Sequence, residues 1–368
     1  MNLVIMLDVF GMGGSERTAL VLINALMQLE YINLSVVVFA KNDTRISKKT
    51  YKLPDNIDVN YIYNDNYSPL KKLLLVPISL YKVRKILINK NIEKIVSFLD
   101  YPNLINILLK NILHHQAFTS ERKYSKHAFA NKRTYMKYFL QFVFNNSDIV
   151  IVNDIDIKKS LVNDFLIKTD IAILNNLIAT NGYVSDFSKE NKQIIFITVA
   201  RFTSEKNTKD IIYAFSKIHA NNMILQIIGD GPQRNFLKNL TIELKIESKV
   251  QFLGQVDNVY SYLQKADIFV FSSLSEGFPN AVLEAMYAGL PIISYQFKAG
   301  ITSMLDDGKY GVLVKLNDVD SLAKNMFLFA NDNKLRQKYS KLSKKRSEMY
   351  IDKTKYINDF LSILEGDK

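Results

Sequence analysis

The stretch that decides the fold is residues 273–291, SLSEGFPNAVLEAMYAGLP. An apolar strand precedes it, and after Asn280 the apolar residues recur at helical spacing until Gly289, a helix stop signal. Glu276 therefore lies in the loop at the carboxyl end of a strand, and Glu284 lies about one turn into the next helix. In an open α/β sheet, ligands bind at this edge.

The chemistry of this stretch favours a ligand that carries both an anionic group and hydroxyls. Backbone N–H groups at the start of such a helix attract phosphate. The carboxylates of Glu276 and Glu284 accept hydrogen bonds from sugar hydroxyls. Phosphate and hydroxyls together predict a nucleotide sugar.

Length and composition predict a globular chain of two domains. The chain has 368 residues, is 48% hydrophobic and 23% charged, and contains no cysteine. The last fact excludes a disulfide scaffold, a thiol nucleophile and cysteine metal sites. The opening MNLVIMLDVF predicts a buried first strand and not a signal peptide. No apolar run approaches the roughly 18 residues of a membrane span, so we expect a cytoplasmic protein.

The net charge of +12 is concentrated in the first half of the chain. Residues 66–92 and 122–147 contain no acidic residue and interleave lysine and arginine with apolar and aromatic residues. Such basic segments suit an anionic membrane surface, so we expect peripheral contact with the cytoplasmic face of a membrane through them. The alternative is a solvated basic face on a core helix. No nucleic-acid motif accompanies the charge, so we expect no nucleic acid as partner.

Strands alternate with helical patterns along the chain, one of them at about residues 70–90, which predicts doubly wound parallel sheets. The polar, turn-rich composition of residues 175–192 predicts a linker between two such series of strands and helices. We therefore expect an N-terminal Rossmann-like domain on the acceptor side over residues 1–180 and a nucleotide-sugar-binding domain over residues 190–350. A C-terminal helix within residues 351–368 is expected to pack back on the first domain.

Three further motifs lie at predicted strand ends. The glycine cluster at residues 11–14, which includes Gly13 and Gly14, follows the first strand, but G-x-G-G is a weak phosphate signal that also fits a tight turn. Arg201 and Lys206 follow the strand 194–200, where two cations can clamp a diphosphate. Gly229 and Asp230 follow the strand 223–228, with Pro232 placed at a helix N1 position.

The order of these motifs resembles the retaining glycosyltransferases of family 4, of the surface-polysaccharide type. That family has the GT-B fold, in which two Rossmann-like doubly wound parallel-sheet domains face each other across a cleft. The resemblance runs from the glycine cluster through Arg201 and Lys206 and ends on S-E-G-F-P-N-A-V-L-E-A-M at residues 275–286. This ordered set is far more specific than any one member.

The resemblance implies a role for each matching residue. Glu276 would hold hydroxyls of the donor sugar, and Glu284 those of the ribose. Arg201 and Lys206 would neutralise the diphosphate as the anomeric bond breaks, which needs no metal and no cofactor besides the nucleotide sugar. The remaining donor-binding positions are backbone groups, at Gly13, Gly14, Gly229, Asp230, Gly277, Phe278, Pro279 and Asn280.

One departure from the family concerns the end of a first-domain strand, where many relatives carry a histidine. This chain has Ser120, Glu121 and Arg122 there. Some relatives that build surface polysaccharides carry Ser-x-Arg at this place, which makes the triplet a candidate donor or acceptor contact. The alternative for Ser120 is a capping role. We assign the nearby histidines to structure.

Asp154 and Asp156 form a D-x-D sequence, as in metal-dependent transferases of another fold. They follow a strand near the domain boundary without any nucleotide motif around them. We therefore predict that one of them caps the next helix.

The resulting expectation is a retaining, metal-independent glycosyltransferase. It would move a sugar from a nucleotide diphosphate, UDP in the first place, to a glycan on a polyprenyl-diphosphate lipid. The alternatives are a nucleotide-sugar epimerase or hydrolase of the same fold, and a non-enzymatic nucleotide or RNA binder. A dehydrogenase is disfavoured because neither sheet opens with a full dinucleotide fingerprint.

Overall fold

The computed structural model describes residues 1–10, 14–41, 57–124, 133–178, 193–218 and 222–366. Predictions that concern Gly13, His127 and most of the interdomain segment fall outside these residues. The chain divides into two compact units, each described by itself below. The first unit holds Met1–Leu177 and Asp352–Lys368, and the second unit holds Ile178–Ile351.

The first unit is a parallel sheet with helices. Its described strands are β1 (Asn2–Val9), β2 (Asn33–Ala40), β3 (Asp58–Tyr63), β4 (Lys94–Phe98), β5 (Gln116–Glu121), β6 (Ile149–Val152) and β7 (Ile171–Ile173). Its described helices are α1 (Gly14–Leu26), α2 (Pro69–Leu74), α3 (Val76–Leu87), α4 (Asp100–Leu113), α5 (Arg133–Asn145), α6 (Ile155–Asn163) and α14 (Lys353–Glu365).

The strand order in the first sheet is β3-β2-β1-β4-β5-β6-β7, with every pair parallel. The order reverses between β1 and β4, which is the topological switch point of such a sheet. Seven of the eight residues of β2 are buried, as its nearly continuous apolar sequence predicts for a strand covered on both faces.

The last helix of the chain, α14, belongs to the first unit. Its side chains Tyr356, Phe360 and Leu364 are buried in the same apolar cluster as Leu3 and Ile5 of β1. Burying side chains of this size contributes about 1.5–3 kcal/mol each, so the end of the chain is anchored on the sheet where the chain begins.

The second unit repeats the same architecture. Its described strands are β8 (Ile194–Val199), β9 (Met223–Ile228), β10 (Val250–Gly254), β11 (Ile268–Phe271), β12 (Ile292–Gln296) and β13 (Val312–Lys315). Its described helices are α7 (Thr208–Ser216), α8 (Arg234–Glu243), α9 (Val259–Leu263), α10 (Asn280–Tyr287), α11 (Ile301–Leu305), α12 (Val319–Asn331) and α13 (Asn333–Ser347).

The strand order in the second sheet is β10-β9-β8-β11-β12-β13, again all parallel. The switch point lies between β8 and β11. Two apolar clusters fill the space between sheet and helices, one around Phe196 and Leu225 and the other around Phe269 and Val282. The carboxyl ends of β8 and β11 are thereby fixed side by side.

Two local details near prolines differ from the sequence predictions. The helix predicted over residues 70–90 is two helices that meet at Leu75, since Pro77 has no N–H to continue the first helix and instead occupies the first turn of the second. Pro232 is not at N1 of α8, which begins at Arg234. The N–H groups of Gln233 and Arg234 first donate to Phe202 O and Gly231 O, both at 3.0 Å, and so close a turn.

Candidate functional site

The carboxyl edge of the second sheet brings two predicted segments together at the switch point. The loop after β8 carries Arg201 and Lys206, and the loop after β11 carries Glu276. Buried serines of the second loop fix the first. Ser272 Oγ donates to Asn207 O at 2.9 Å, and the Leu274 N–H donates to Glu205 O at 2.9 Å.

Lys206 and Glu276 form an ion pair at the centre of this edge. The Lys206 Nζ lies 2.5 Å from Glu276 Oε1, and the two side chains are only 13% and 15% exposed. A pair so shielded from water is held more firmly than a surface pair. The predicted diphosphate cation and the predicted sugar-binding carboxylate are therefore neighbours before any ligand arrives.

Arg201 is the outer cation of the site. Arg201 is exposed, and its side chain makes no hydrogen bond or ion pair with any described residue. The two predicted clamp residues thus differ, because Lys206 is already paired while the Arg201 guanidinium is available to an anion from solution.

A buried polar network supports the loop from below. Asn207 has a left-handed backbone (φ 50°), and its Nδ2 donates to Asp210 Oδ2 at 2.7 Å. The hydroxyl of the fully buried Tyr295 donates to the same oxygen at 2.8 Å. Burial, with the Asp210 carboxylate adding to it, raises the pKa of Tyr295 above its ordinary value. The Tyr295 hydroxyl therefore stays a donor, and the turn that carries Lys206 is held in place.

The Gly229–Asp230 turn is in contact with the Arg201 loop. A Cβ atom at Gly229 (φ 133°) would lie 1.9 Å from Ala200 O, so only glycine fits there. The Asp230 carboxylate accepts from its neighbour's N–H and from Arg234 Nη1, both at 2.8 Å. This predicted donor-binding aspartate therefore shapes its own turn.

The loop before α10 offers its backbone to a ligand. The N–H groups of Gly277 and Phe278 donate to no other described residue, whereas the Phe278 side chain is buried against Tyr350, with ring centroids 5.8 Å apart. Gly300 allows this close packing, because a Cβ there would lie 2.7 Å from Pro279 Cδ. The helix begins at Asn280, and the half-buried Glu284 lies one turn in, as predicted.

In the first unit, Ser120, Glu121 and Arg122 are all buried. The Arg122 guanidinium donates to Ser120 Oγ at 2.7 Å and to Asn176 Oδ1 at 3.1 Å, so the two predicted contact residues hold each other. Glu121 Oε1 accepts the Lys123 N–H at 2.8 Å, but Glu121 Oε2 is buried without any partner. Burial, together with the negative charge of Asp100, raises the pKa of Glu121 to about 7.

Other residues singled out in the sequence have structural roles. Asp154 caps α6 by accepting the Asp156 N–H at 2.8 Å, which confirms the capping prediction. His115 is buried beside Asn106, and burial lowers its pKa to about 4. Gly14 is the first residue of α1. Within the described residues, no group of three or more His, Cys, Asp or Glu side chains is arranged to hold a metal ion.

Sequence reasoning missed the supporting residues Ser272, Asp210, Tyr295 and Gly300. Only the serine carried a usable signal, since it stands directly after a buried strand. Tyr295 and Asp210 are paired across 85 residues of sequence, and Gly300 packs against the distant Pro279, so nothing local marks these contacts.

Comparison with known proteins agrees with this geometry. Residues 184–346 match the family model "Glycosyl transferases group 1". This match assigns residues 184–346 to the group 1 glycosyltransferases. The match covers the whole edge built around Lys206 and Glu276.

One curated relative extends over nearly the whole chain. It is the N-acetylgalactosamine-N,N'-diacetylbacillosaminyl-diphospho-undecaprenol 4-alpha-N-acetylgalactosaminyltransferase of Campylobacter jejuni subsp. jejuni serotype O:2 (strain ATCC 700819 / NCTC 11168). It is 26% identical over 97% of this chain and 97% of its own length.

Solved structures confirm the predicted GT-B architecture of two parallel α/β sheets. The lipopolysaccharide outer core galactosyltransferase WaaB in its apo form has a TM-score of 0.77 at 18% identity and covers both chains fully. Anabaena Alr3699/HepE in complex with UDP has a TM-score of 0.78 at 14% identity, also over the whole of both chains. At these identities the likeness concerns the fold alone.

Proposed function

We propose that this glycosyltransferase is retaining and metal-independent and uses a UDP-linked hexose or N-acetylhexosamine as donor. The acceptor is a glycan carried on a polyprenyl diphosphate in bacterial surface-polysaccharide synthesis, at the cytoplasmic face of the membrane. The observation that carries this proposal is the Lys206–Glu276 pair at the switch point of the second sheet, with Arg201 exposed beside it in sequence.

The charges at this edge suit the departure of a nucleotide diphosphate. Arg201 binds a phosphate by its fork of N–H groups, and Lys206 supplies a compact positive charge. As the anomeric bond breaks, negative charge grows on the leaving phosphate, and fixed cations stabilise it without a metal ion. The N–H groups of Gly277 and Phe278 add uncharged donors on the same edge.

Glu276 positions the donor sugar and does not attack it. Its carboxylate already binds the Lys206 ammonium through Oε1, which leaves Oε2 to accept sugar hydroxyls. Glu284, half-buried on α10, accepts the ribose hydroxyls. The leaving phosphate takes the acceptor proton, which delivers the new bond on the face where the old one broke.

The choice of UDP and of a lipid-linked acceptor is supported by the relatives. Alr3699/HepE, which shares the fold, was crystallised with UDP. The full-length Campylobacter relative is named for transfer to a diphospho-undecaprenol-linked sugar.

The membrane contact is supported by an exposed apolar face on α2 and α3, which we call the leucine face. It consists of Leu70, Leu73, Leu74, Ile78 and Tyr81, of which Leu70 and Leu74 are each 80% exposed. No described helix is long and apolar enough to span a membrane. An apolar face rimmed by cations suits shallow insertion among anionic lipid headgroups.

The cations available to those headgroups are fewer than the sequence contains. Lys82 donates to Ile62 O at 3.0 Å and stands over the Tyr63 ring, so it belongs to the fold. Lys71, Arg84 and Lys85 remain exposed around the leucine face. On α5 the exposed aromatic side chains are Tyr135, Tyr138 and Phe142, which share one side of the helix.

A panel of nucleotide sugars tests the transfer reaction. UDP release and sugar transfer are measured with and without undecaprenyl-diphosphate-linked N-acetylhexosamines, for the native chain, Glu276→Ala and the exposed control Glu243→Ala. We expect acceptor-dependent transfer that EDTA does not change and that falls at least a hundredfold in Glu276→Ala only. Native activity in Glu276→Ala would refute the site, and donor consumption without transfer would favour an epimerase or hydrolase.

Vesicle co-sedimentation tests the membrane contact. The triple variant Leu70→Ser, Leu73→Ser, Leu74→Ser is compared with Phe327→Ser, Leu328→Ser, an exposed apolar pair on α12 of the second unit. We expect only the triple variant to bind vesicles with about 30% phosphatidylglycerol at least tenfold more weakly. The reason is that it no longer buries three leucine side chains in the lipid. Equal binding by both variants would refute the leucine face.

A further inference from the structure

Two short helices of the second unit begin at the loop that carries Gly277 and Phe278. Helix α10 follows this loop directly, and α11 follows Gly300, whose Cβ would lie 3.0 Å from Gly277 O. Both helices therefore start beside the proposed diphosphate site. Because a helix is stiff, the groups that hold the far ends of α10 and α11 also decide where their first turns meet a ligand.

The carbonyl groups at the end of α10 need hydrogen-bond donors. The chain turns at Gly289 (φ 76°), and this turn supplies most of them. Three N–H groups of the turn donate back into the helix at 2.9 Å each: Ala288 to Glu284 O, Gly289 to Met286 O and Leu290 to Ala285 O. Among the described residues, no backbone N–H donates to the carbonyl of Tyr287, the last residue of α10.

Lys344 of α13 supplies the missing donor. Its Nζ donates to Tyr287 O at 2.6 Å and stands 4.2 Å from the centroid of the Tyr287 ring. A cation at the C-terminus of a helix is also favoured by the helix dipole. Burial lowers the pKa of Lys344, against a smaller opposite effect of Glu348, so the ammonium gives up hydration to reach this place.

The Tyr287 ring is held from a second helix as well. Tyr260 of α9 lies against it, with ring centroids 5.6 Å apart. Burial, with a smaller contribution from Tyr287, raises the pKa of Tyr260 to about 12. The last residue of α10 is therefore fixed both by its backbone carbonyl and by its side chain.

Arg346, two residues further along α13, holds the end of α11. Its Nε donates to Met304 O at 3.0 Å, and its Nη2 donates to Ser303 O at 2.7 Å. Helix α13 packs against α10, and its buried residues are three small ones, which allow a close approach: Ser340, Ser343 and Ser347. One helix therefore holds the ends of both helices that start beside the diphosphate site.

We propose that Lys344 is a positioning residue for the nucleotide, which acts through α10 on Glu284 and thereby selects a ribonucleoside diphosphate. Glu284 lies three residues before Tyr287 on the same helix, so a shift of this helix end moves the Glu284 carboxylate. A displacement of about 1 Å is enough to spoil a positioned contact. This inference rests on the proposed function, which assigns the ribose hydroxyls to Glu284.

The diphosphate contacts should survive the loss of Lys344. Arg201 and Lys206 lie on the loop after β8, which is held through Ser272, Asp210 and Tyr295 and not through α13. A loss confined to the ribose contact is therefore the signature of a positioning role. A general loss of stability would weaken the binding of UDP and of its 2′-deoxy analogue alike.

Isothermal titration calorimetry with UDP and 2′-deoxy-UDP measures this signature as the ratio of the two dissociation constants. We expect the native chain to bind UDP at least about tenfold more tightly, because the 2′-hydroxyl donates to a carboxylate. In Lys344→Met the ratio should fall below about two, while the Kd for 2′-deoxy-UDP changes less than about threefold. Lys344→Arg keeps a cationic donor and should retain a ratio of at least about five.

Two further variants frame the measurement. Lys341→Met is the matched control, because Lys341 is an exposed lysine one turn earlier on the same helix. It should give the native ratio. Glu284→Ala marks the ratio that remains without the ribose contact, and Lys344→Met should approach it.

The outcomes separate this inference from the proposed function. If Glu284→Ala loses the preference for UDP and Lys344→Met keeps it, the inference is overturned and the proposed function stands. Equal weakening of both nucleotides in Lys344→Met, up to loss of binding, overturns it too, because Lys344 would then serve stability alone. A native chain without the preference, or a Glu284→Ala variant that retains it, would refute the assignment of ribose to Glu284 and the inference with it.

Discussion

The two units carry nearly the same ion pair at the carboxyl edges of their sheets. Lys72 and Asp8 in the first unit are 2.6 Å apart with exposures of 14% and 20%, and Lys206 and Glu276 in the second are 2.5 Å apart with exposures of 13% and 15%. The surroundings differ. The pair in the second unit is joined by Arg201 on the same loop and by unbonded backbone N–H groups, whereas the pair in the first unit is accompanied by further carboxylates.

This difference indicates what each edge can bind. Cations with free backbone donors suit a diphosphate, and carboxylates mixed with lysines suit neutral hydroxyls. Two doubly wound sheets in one chain offer the same kind of binding position twice. The side chains at each switch point decide which of the two substrates binds there.

The largest expected effect comes from removing the two lysines in turn. Lys206→Ala should lower kcat about 10²–10³-fold, because it removes charge stabilisation at the leaving phosphate and leaves Glu276 poorly solvated without its partner. Lys72→Ala should lower kcat less than about tenfold and act mainly on the KM for the acceptor, since its unit does not contact the diphosphate in this account.

Steady-state kinetics, with the concentrations of donor and acceptor varied separately, measure kcat and the KM for the acceptor in both variants. If Lys72→Ala lowered kcat as much as Lys206→Ala, the two pairs would not differ in role, and the comparison would fail.

The next effect concerns the rigidity of the carboxyl edge of the second sheet. Gly229→Ala should destabilise the second unit by roughly 3 kcal/mol, because its Cβ would lie 1.9 Å from Ala200 O. Gly366→Ala, at another positive φ (83°) but with no atom within 4 Å of its Cβ, should cost about 1 kcal/mol. Urea unfolding gives both values, and equal losses would mean that the contact with the Arg201 loop does not constrain the fold.

The stability of the first unit should depend on pH through Glu121. Its pKa is raised by burial and Asp100 from 4.5 to about 7, so the folded chain retains a proton that the unfolded chain loses above pH 4.5. Glu121 therefore lowers stability as pH rises through this window. Glu121→Gln should raise the free energy of unfolding by up to about 3 kcal/mol at pH 8 and by less than about 1 kcal/mol at pH 5.

Glu93→Gln serves as the control for that measurement. Glu93 lies at the amino edge of the same sheet, where its Oε1 accepts the Asn2 N–H at 2.9 Å. Glu93→Gln should not raise the free energy of unfolding at pH 8. If the difference in free energy of unfolding between Glu121→Gln and the native chain were the same at pH 5 and pH 8, Glu121 would not be held neutral by its surroundings.

The carboxyl edge of the second sheet could be predicted from the sequence because its charged residues follow strand ends in a fixed order. Arg201, Lys206, Glu276 and Glu284 each stand one loop or one helical turn after an apolar strand, so the alternation of strands and helices already placed them on one edge. The parallel topology then brought β8 and β11 together.

Three other features could not be predicted in the same way. The pKa of Glu121 depends on its burial and on Asp100, which lies 21 residues earlier in the chain. The hydrogen bond from Tyr295 to Asp210 spans 85 residues. The break at Leu75 depended on a proline inside an otherwise regular helical pattern. Burial and long-range pairing decide the first two features and a single proline decides the third, and hydrophobic periodicity contains none of these.

The central claim is that the edge of the second unit binds the diphosphate of the donor. Isothermal titration calorimetry of UDP tests it directly on the native chain, Arg201→Ala and Lys72→Ala. We expect the Kd for UDP to rise at least tenfold in Arg201→Ala (about 1.4 kcal/mol) and to stay unchanged in Lys72→Ala. A Kd that is unchanged in Arg201→Ala, or that rises equally in both variants, would contradict the account.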